Sequence, residues 1–282
     1  MDASPQRSQE DKAHSAKPTR VVMVIAGSDS SGGAGIQADI KAAAAFGVHA
    51  ATAITAVTAQ NSEAVEAVYT LQAEQVRAQI RAISRSMQVD AVKLGMLANA
   101  DIVRVVAEEL EHLQVQHVVM DPVLYATSGG TLFAGDTAAL LLKSLLPQVS
   151  LLTPNLDEAA ALLDTEPATD HDAMERQAQQ LRAIGPNAVL LKGGHFPGEL
   201  AVDYLATAEG VQSFASPRLN SRHTHGSGCT LSTAIAAGLA QGLSLKQAVA
   251  AAKTHIQGAI ANAERLGLVD NNGPVHALYQ YW

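Results

Sequence analysis

The chain has 282 residues, of which 48% are hydrophobic and 16% charged, so it can bury a large core as one α/β domain or two smaller ones. A formal net charge of −8, with no basic stripe along any predicted helix, excludes a protein that binds nucleic acid or an anionic membrane. A single cysteine excludes an intramolecular disulfide, and the apolar runs are too short to span a bilayer. These limits favour a cytoplasmic enzyme that acts on a small molecule.

Residues 1–20 are rich in Ser, Gln, Asp and Lys and show no apolar periodicity, which predicts a disordered tail. A secretory signal would need an apolar segment after a basic start, and Asp2, Glu10 and Asp11 argue against a transit peptide. We therefore predict that the folded part of the chain starts near Val21.

From Val21 onward, short β-branched runs alternate with longer helical patterns. The predicted strands are Val21–Ala26, Ala50–Thr58, Ala91–Leu94, His117–Met120, Ser150–Leu152 and Ala188–Leu191. The predicted helices are Gly35–Phe46, Ala73–Met87, Asp101–Leu113, Asp136–Leu146, Asn155–Leu163 and Met174–Ile184. This alternation predicts an α/β fold with a central, mostly parallel sheet and helices on both faces. Ligands bind beyond the carboxyl ends of such strands, so the residues that follow each strand are candidates for a site.

A glycine-rich loop follows the first predicted strand and contains Gly33-x-Gly35-x-x-Ala38, the loose form of the dinucleotide-binding fingerprint. That fingerprint opens its helix soon after the strand and places an acidic residue about twenty positions on, after the second strand. Here the loop is longer, and the second strand ends in Ala59-Gln60-Asn61. A loop that packs against a flat ligand, with Asp39 on the helix behind it, is therefore favoured over binding of NAD or FAD.

Gln60, at the end of the second strand, offers a hydrogen-bond donor and an acceptor side by side. That edge complements an aminopyrimidine, in which an exocyclic amino group lies next to a ring nitrogen. A glutamine in an ordinary strand-end turn is the alternative.

Two later strand ends carry groups suited to a nucleotide and its metal. Asn155 and Glu158 are three residues apart at the start of a helix, so they share a face and can present oxygens to a hydrated Mg²⁺. A helix-capping pair explains the same two residues equally well. Lys192 precedes Gly193-Gly194 at the end of the sixth strand, where a cation can meet a phosphate, although a solvated turn lysine is the simpler reading.

The stretch His223-Thr224-His225-Gly226-Ser227-Gly228-Cys229 runs into a long apolar helix. Free N–H groups and the positive end of the helix dipole make such a turn an anion site. Cys229, in the first helical turn, is expected to be shifted toward the thiolate. An anion cradle beside a nucleophile or base suggests phosphoryl transfer.

Other chemistries are less well supported. His195, His223 and His225 lack the paired spacing of zinc motifs, so with Cys229 they make a poor metal site, and they are expected to be surface residues or hydrogen-bond partners. The chain contains no Walker motif, Gly-x-Ser-x-Gly elbow or protein-kinase signature. The alanine-rich helices after Leu231 indicate close helix packing.

Eight ordered blocks, from Val21 to the C-terminal Gly273-Pro274-Val275-His276, resemble the hydroxymethylpyrimidine and phosphomethylpyrimidine kinases of thiamine biosynthesis, which belong to the ribokinase-like superfamily. The blocks are Ile25-Ala26-Gly27-Ser28-Asp29, Ser31-Gly32-Gly33-Ala34-Gly35-Ile36-Gln37-Ala38-Asp39, Thr58-Ala59-Gln60-Asn61, Lys93-Leu94-Gly95-Met96, Asp121-Pro122-Val123, Thr153-Pro154-Asn155, Lys192-Gly193-Gly194-His195 and Thr224-His225-Gly226-Ser227-Gly228-Cys229. The resemblance implies one three-layer domain over residues 21–282, commonly a homodimer, that uses ATP and Mg²⁺ to phosphorylate the pyrimidine alcohol and then its monophosphate.

The resemblance also implies roles for individual residues. The substrate pocket would consist of Gln60 on the pyrimidine edge with Gly27, Ala34, Asp39, Met96 and Val123. The nucleotide would be held by Lys192, Asn155, Thr224 and Asp121, with Glu158 and Asn155 organising Mg²⁺ through water. Gly226, Ser227 and Gly228 would stabilise the transferred phosphoryl group, and Cys229 would be the general base of the first step.

Two features separate this chain from its nearest relatives. After Asp121-Pro122-Val123, relatives often carry a lysine and an aspartate around a Ser-Gly pair, whereas this chain has Ala126-Thr127-Ser128-Gly129-Gly130, so its grip on a second phosphate is expected to be weaker. The alternative activity is that of a pyridoxal kinase, whose best-known cysteine-containing form uses a second cysteine in this loop. This chain has only Cys229, which favours the pyrimidine.

A non-catalytic vitamin-precursor sensor on the same fold would be expected to lose the anion turn or the magnesium residues, and both are present.

Overall fold

The computed structural model describes residues 19–124, 140–194 and 196–282. In these residues nine strands form one sheet in the order β3-β2-β1-β4-β5-β6-β7-β8-β9. The strands are β1 (Val21–Asp29), β2 (His49–Gln60), β3 (Val65–Thr70), β4 (Ala91–Leu94), β5 (Val118–Met120), β6 (Leu151–Leu152), β7 (Ala188–Leu191), β8 (Leu200–Thr207) and β9 (Gly210–Pro217). The helices are α1 (Gly35–Ala45), α2 (Ala73–Ser84), α3 (Ala100–Leu113), α4 (Leu156–Leu163), α5 (His171–Ala183), α6 (Ser227–Ala240) and α7 (Leu245–Ala261).

The sheet is parallel from β2 through β7, and its edges are antiparallel: β3 pairs with β2, and β8 and β9 extend it beyond β7. The predicted α/β class and mostly parallel sheet are confirmed. Neither β3 nor the β8–β9 hairpin was predicted from the sequence. Both lie at sheet edges and are largely half-buried or exposed, so they lack the continuous apolar run that marks a central strand.

Two separate cores cover the two faces of the sheet. Successive residues of β1 point to opposite faces, so Met23 and Ile25 join one core while Val22 and Val24 join the other. The first core is completed by α2 to α5, and the second by α1, α6 and α7. Helices therefore lie on both faces, as expected for the ribokinase-like, three-layer arrangement.

Most predicted bounds agree with the structure to within a few residues, but some predictions fall outside the described part of the chain. Asn155 is the residue that caps α4 and does not belong to the helix itself. The helix expected over 136–146 lies partly outside, and its described end is a π-helical turn, Leu141–Leu145, followed by a 3₁₀ turn, Leu146–Gln148. Most of the tail 1–20, the loop 126–130 and His195 also lie outside the described residues.

The buried helix α6 carries the predicted close packing. A Cβ placed on Gly238 would lie 3.1 Å from the Cβ of Ala248 on α7, so the two helices approach where a glycine faces an alanine. In the described ranges, no helix combines the length and apolar character needed to cross a bilayer.

Candidate active site

The carboxyl ends of the parallel strands and the start of α6 enclose a cavity of about 850 Å³. Its wall contains the following residues predicted from the sequence: Gly27, Ala34, Gln60, Met96, Asp121, Val123, Asn155, Glu158, Lys192, Thr224, Gly226, Ser227, Gly228 and Cys229. Asp39 does not line it. Parallel strands bring their carboxyl ends to one edge, which is why residues scattered over the sequence meet here.

The start of α6 touches the loop that leads into α1. Gly226 caps α6 with φ of 76°, and a Cβ at this position would lie 1.9 Å from the carbonyl oxygen of Gly33. A side chain would therefore meet both a strained backbone and a direct clash. The contact brings the N-termini of α1 and α6, the positive ends of their helix dipoles, to the same cavity wall.

A buried carboxylate fixes this contact. Asp29, at the end of β1, accepts hydrogen bonds from the backbone N–H of Ala34 at 2.7 Å and from the backbone and hydroxyl of Ser31 at 2.8 Å. Its other link is to Nε2 of His225 at 2.9 Å, across 196 residues of sequence. Burial opposes the charge of Asp29, but the hydrogen bonds from His225, Ser31 and Ala34 outweigh it and lower the pKa of Asp29 to about 2. Asp29 therefore holds the turn before α6 against the loop that follows β1. We call its hydrogen bonds to Ala34, Ser31 and His225 the Asp29 brace.

The two histidines of the turn, His223 and His225, are hydrogen-bond partners, as expected. His223 accepts a hydrogen bond at Nδ1 from the backbone N–H of Gly273 at 3.0 Å, while His225 contacts Asp29. Among the described residues no group of three or more His, Cys, Asp or Glu side chains could hold a metal ion.

Lys192 lies beside the glycine turn in an ion pair with Asp121, with 2.7 Å between Nζ and Oδ1. A Cβ on Gly228 would lie 3.1 Å from Oδ2 of Asp121 and 3.3 Å from Nζ of Lys192, so the pair directly adjoins the turn. Burial disfavours the charged lysine, but the charges of Asp121 and Glu158 hold the pKa of Lys192 above its usual value. A fixed cation therefore borders the anion-binding amides.

Asn155 and Glu158 form a reciprocal cap on α4. The side chain of Asn155 accepts from the backbone N–H of Glu158, and Glu158 accepts from that of Asn155, each at 2.8 Å. The capping interpretation of these residues is thus confirmed. Oδ1, the one side-chain oxygen of Asn155, keeps a second lone pair, and the carboxylate of Glu158 keeps further acceptor capacity. Burial raises the pKa of Glu158, so this carboxyl group is one that a neighbouring cation would stabilise in its ionised form.

Gln60 and Met96 lie at the other end of the cavity. Thr58 donates to Oε1 of Gln60 at 3.2 Å, and Ser30 fixes the Gln60 backbone through bonds of 2.7 and 2.8 Å. A Cβ on Gly27 would lie 2.4 Å from Cε of Met96, so this wall is a glycine packed beneath a methionine. The amide oxygen of Gln60 keeps a second lone pair beside this bond, and its NH₂ group has no hydrogen-bond partner among the described residues, so both can meet a ligand.

Asp39 lies beneath the cavity floor and not on its wall. It is fully buried, with both carboxylate oxygens 2.9 Å from Nζ of Lys93 and Oδ1 accepting from the hydroxyl of Thr233 at 2.6 Å. The predicted direct contact between Asp39 and a ligand is therefore replaced by contact with Lys93, which does line the cavity.

Cys229 lines the cavity above this pair, but its ionisation differs from the expectation. Burial raises the pKa of Cys229 to about 11, although Lys93 and the backbone amide of Gly35 act to lower it. The expected shift toward the thiolate was wrong for the free enzyme, because the cost of removing a thiolate from water exceeds the gain from the helix start.

Sequence reasoning missed the residues at the far end of the cavity. Lys253 on α7 pairs with Asp203 on β8, with 2.6 Å between Nζ and Oδ2, and Oδ1 of Asp203 accepts from the backbone N–H of Gly193. Ile256 and Ile260, on the same face of α7, supply an apolar wall. The helical spacing of apolar residues in α7 could have revealed this helix. Its position beside the cavity could not be predicted, because the β8–β9 hairpin against which it lies was not predicted either.

The sequence and fold were compared with known proteins. The sequence profile described as phosphomethylpyrimidine kinase matches residues 29–276. The hydroxymethylpyrimidine/phosphomethylpyrimidine kinase of Escherichia coli (strain K12) is 45% identical over 260 residues, covering 92% of this chain and 98% of that protein. A thiamine biosynthesis bifunctional protein of Geobacter sulfurreducens is 39% identical over 259 residues, covering 92% of this chain and 52% of that protein.

Among solved structures, the ADP complex of Bacillus subtilis pyridoxal kinase superposes with a TM-score of 0.84 at 34% identity. The match covers 93% of this chain and 99% of that one. The likeness therefore extends over nearly the full length of both chains.

The Asp29 brace makes stability depend on pH. We expect Asp29→Asn to lower the free energy of unfolding by about 1–2 kcal/mol near pH 7. Because the folded-state pKa of about 2 lies below the ordinary 3.8, the difference from the original protein is full above about pH 4 and disappears as the pH falls toward 2. Urea unfolding at a series of pH values measures both.

The matched control is Asp90→Asn, which removes an aspartate that pairs with the half-exposed Arg20. It should cost under about 1 kcal/mol. Equal losses for the two variants, or a loss for Asp29→Asn that does not change between pH 7 and pH 3, would contradict the brace.

Proposed function

Because this chain belongs to the phosphomethylpyrimidine kinase family, we propose that its cavity transfers a phosphoryl group from ATP to two pyrimidines in turn. The first acceptor is the alcohol of 4-amino-5-hydroxymethyl-2-methylpyrimidine, and the second is the resulting monophosphate. The enzyme is a hydroxymethylpyrimidine/phosphomethylpyrimidine kinase of thiamine biosynthesis.

One observation carries the assignment of this activity to the cavity. Cys229 opens α6 between a neutral amide, Gln60, at one end and the Lys192–Asp121 pair at the other. An uncharged heteroaromatic ring fits the end with Gln60 and Met96, and phosphates fit the end with the cation and the amides of Gly226 to Gly228. The thiol lies where the two substrates would meet.

The nucleotide would lie along the second half of the cavity. Lys192 and Thr224 border the space for its phosphates, next to Gly228. The apolar residues Ile256 and Ile260 of α7 provide a surface for the adenine base beyond them. Asp121 holds Lys192 in place, since an aspartate would repel the phosphates if it met them without its cation.

The donor set also fits Mg²⁺. This ion keeps several of its waters and binds proteins through one or two carboxylates together with substrate phosphates. Glu158 is such a carboxylate, buried beside the phosphate end, and Asn155 adds an amide oxygen. When bound, the ion neutralises charge on the phosphates, while Asn155 and Glu158 would hold its water shell at the start of α4.

In the first step, the hydroxymethyl oxygen bonds to the γ-phosphorus while its proton passes to the sulfur of Cys229. The bond from the γ-phosphorus to the bridging oxygen breaks, and ADP leaves. The amide of Gly228 would meet the charge that develops on the transferred group, whereas that of Ser227 already donates to the carbonyl oxygen of Thr224 at 3.1 Å. In the second step the attacking phosphate oxygen is already ionised, so no base is needed there.

ATP is the phosphoryl donor, and we infer that the enzyme acts in the cytoplasm, where this nucleotide is abundant.

We also infer that the protein is a homodimer. The edge strand β3 exposes Tyr69 at 65% opposite its cross-strand neighbour Val57 of β2, which is exposed at 42%, and an exposed apolar edge favours association.

The function is tested by a product assay with ATP, Mg²⁺ and, separately, hydroxymethylpyrimidine, its monophosphate and pyridoxal. Cys229→Ala should slow phosphorylation of the alcohol by about 10²–10⁴-fold, because the base is lost. Phosphorylation of the monophosphate and the affinity for ATP should stay close to those of the original enzyme. Unchanged turnover of the alcohol would remove Cys229 as the base, and a preference for pyridoxal would overturn the assigned substrate.

The pyrimidine pocket is tested by Gln60→Leu, which leaves the buried amino edge of the substrate without a partner. We expect binding of hydroxymethylpyrimidine to weaken by about 1–3 kcal/mol, measured by calorimetry. Gln212→Leu, on the exposed face of β9, is the matched control and should bind normally. Equal affinities for the two variants would reduce Gln60 to a turn residue.

The dimer is tested by sedimentation. The original protein should sediment at twice the chain mass, and Tyr69→Asp should shift it toward the monomer, because a charge at the buried interface loses its hydration. Tyr281→Asp changes a tyrosine with a similar exposure of 63% and should leave the dimer intact. A monomeric original protein would contradict the inference.

A further inference from the structure

Lys93 is the largest side chain in the described residues with no exposed surface, although it is charged and comes from the middle of the sheet. It belongs to β4, whose neighbours β1 and β5 are apolar around it. A lysine is almost never fully buried unless its ammonium group is paired with an acceptor. Lys93 itself has no role in the mechanism described above.

The contacts of Lys93 direct its ammonium toward α6. Asp39 of α1 lies 2.9 Å away through both oxygens, and the same carboxylate accepts from Thr233 at 2.6 Å. Thr233 is four residues after Cys229, so the two side chains lie on one face of α6, one turn apart. Cys229 is thus the next group on that face, nearer the cavity.

The ammonium retains a hydrogen for that neighbour. It carries three N–H donors, and its only hydrogen-bond acceptor among the described residues is the carboxylate of Asp39. Gly95 keeps the space beside the nitrogen open, because a Cβ there would lie 3.0 Å from Nζ. Both Lys93 and Cys229 line the cavity, where the acceptor alcohol would lie.

Four charged or titratable groups face Cys229 from the elements packed against it. They are Lys93 of β4, Asp39 of α1, Asp121 after β5 and Lys192 after β7. Lys192 is committed to Asp121 at 2.7 Å and borders the phosphate end of the cavity. Of these two lysines, Lys93 is therefore the one with an N–H donor available for the sulfur of Cys229.

We propose that Lys93 is a positioning residue for the first phosphoryl transfer, where its ammonium stabilises the thiolate of Cys229, and that Asp39 and Thr233 hold it there. The lysine transfers no proton: the alcohol loses its proton to sulfur, an S–H bond forms, and Lys93 stays charged throughout. Its charge is secure, since Asp39, Cys229 and Asp121 overcome the effect of burial and hold the pKa of Lys93 above its usual value. This inference rests on the proposed role of Cys229 as base.

The experiment measures the thiol itself. Cys229 is the only cysteine in the chain, so the rate of alkylation by iodoacetamide as a function of pH reports this one group in the whole protein. Lys93→Met should slow alkylation by about tenfold at pH 8, because a thiolate without its cation forms less often. The rate constant for phosphorylation of the alcohol should fall by a similar factor, with phosphorylation of the monophosphate retained.

Asp39→Asn provides an opposite prediction and a safeguard if Lys93→Met does not fold. It keeps the size of the side chain but leaves the thiolate as the remaining anionic partner of Lys93, so alkylation at pH 8 should become faster. A residue that merely fills the core would not give changes of opposite sign. Lys253→Met, which removes the other partner of an aspartate on the cavity wall, is the matched control and should leave the alkylation rate unchanged.

The outcomes separate this proposal from the function on which it rests. Alkylation needs no substrate, so an altered pH profile in a protein that phosphorylates no pyrimidine would refute the function and leave the coupling of Lys93 to Cys229 intact. Identical alkylation profiles for the original protein and Lys93→Met, or slower alkylation of Asp39→Asn, would overturn the proposal.

Discussion

The carboxylate of Asp29 joins two segments that lie 196 residues apart, and the arrangement of the cavity depends on that link. It holds His225 on one side and the backbone of Ala34 on the other. The start of α6 can then press against the β1 loop so closely that Gly226 has no room for a Cβ. Two helix N-termini consequently face one space, and the anion-binding amides, the thiol and the pyrimidine wall come into contact range without any of them lying close in sequence.

Charge in the cavity is organised as pairs. Lys93 with Asp39 lies beneath the thiol, and Lys192 with Asp121 lies beside the phosphate end. Each pair is nearly neutral as a whole, so each acts over a short range on the group nearest its cation. That arrangement lets one cation favour a thiolate while the other meets a phosphate. Cys229 nevertheless stays protonated in the free enzyme, because burial disfavours the thiolate more strongly than Lys93 favours it.

The sequence predicted the positions of groups better than their ionisation. Gln60 and Lys192 could be identified because each follows a parallel strand, and such strands end at one edge. The burial of Asp39 and the raised pKa of Cys229 could not be, since both depend on what packs around them in three dimensions. Lys93 lies in one of the blocks that carry the family resemblance, but the sequence assigned it no role, because a lysine inside a strand is usually a solvated residue on an edge. The antiparallel edge strands were missed for a related reason: half-exposed strands lack the apolar runs by which central strands are recognised.

The account's central claim is that one thiol acts as the base for the first phosphorylation and not for the second. The direct measurement is the pH dependence of the single-turnover rate of each step in the unmodified enzyme, with saturating ATP and Mg²⁺. With the thiol pKa at about 11, the rate of the first step should rise about tenfold for each pH unit from 7 to 9, as the thiolate becomes more populated. The second step, whose attacking oxygen is already ionised, should change little over that range. Parallel pH profiles for the two steps would contradict the account.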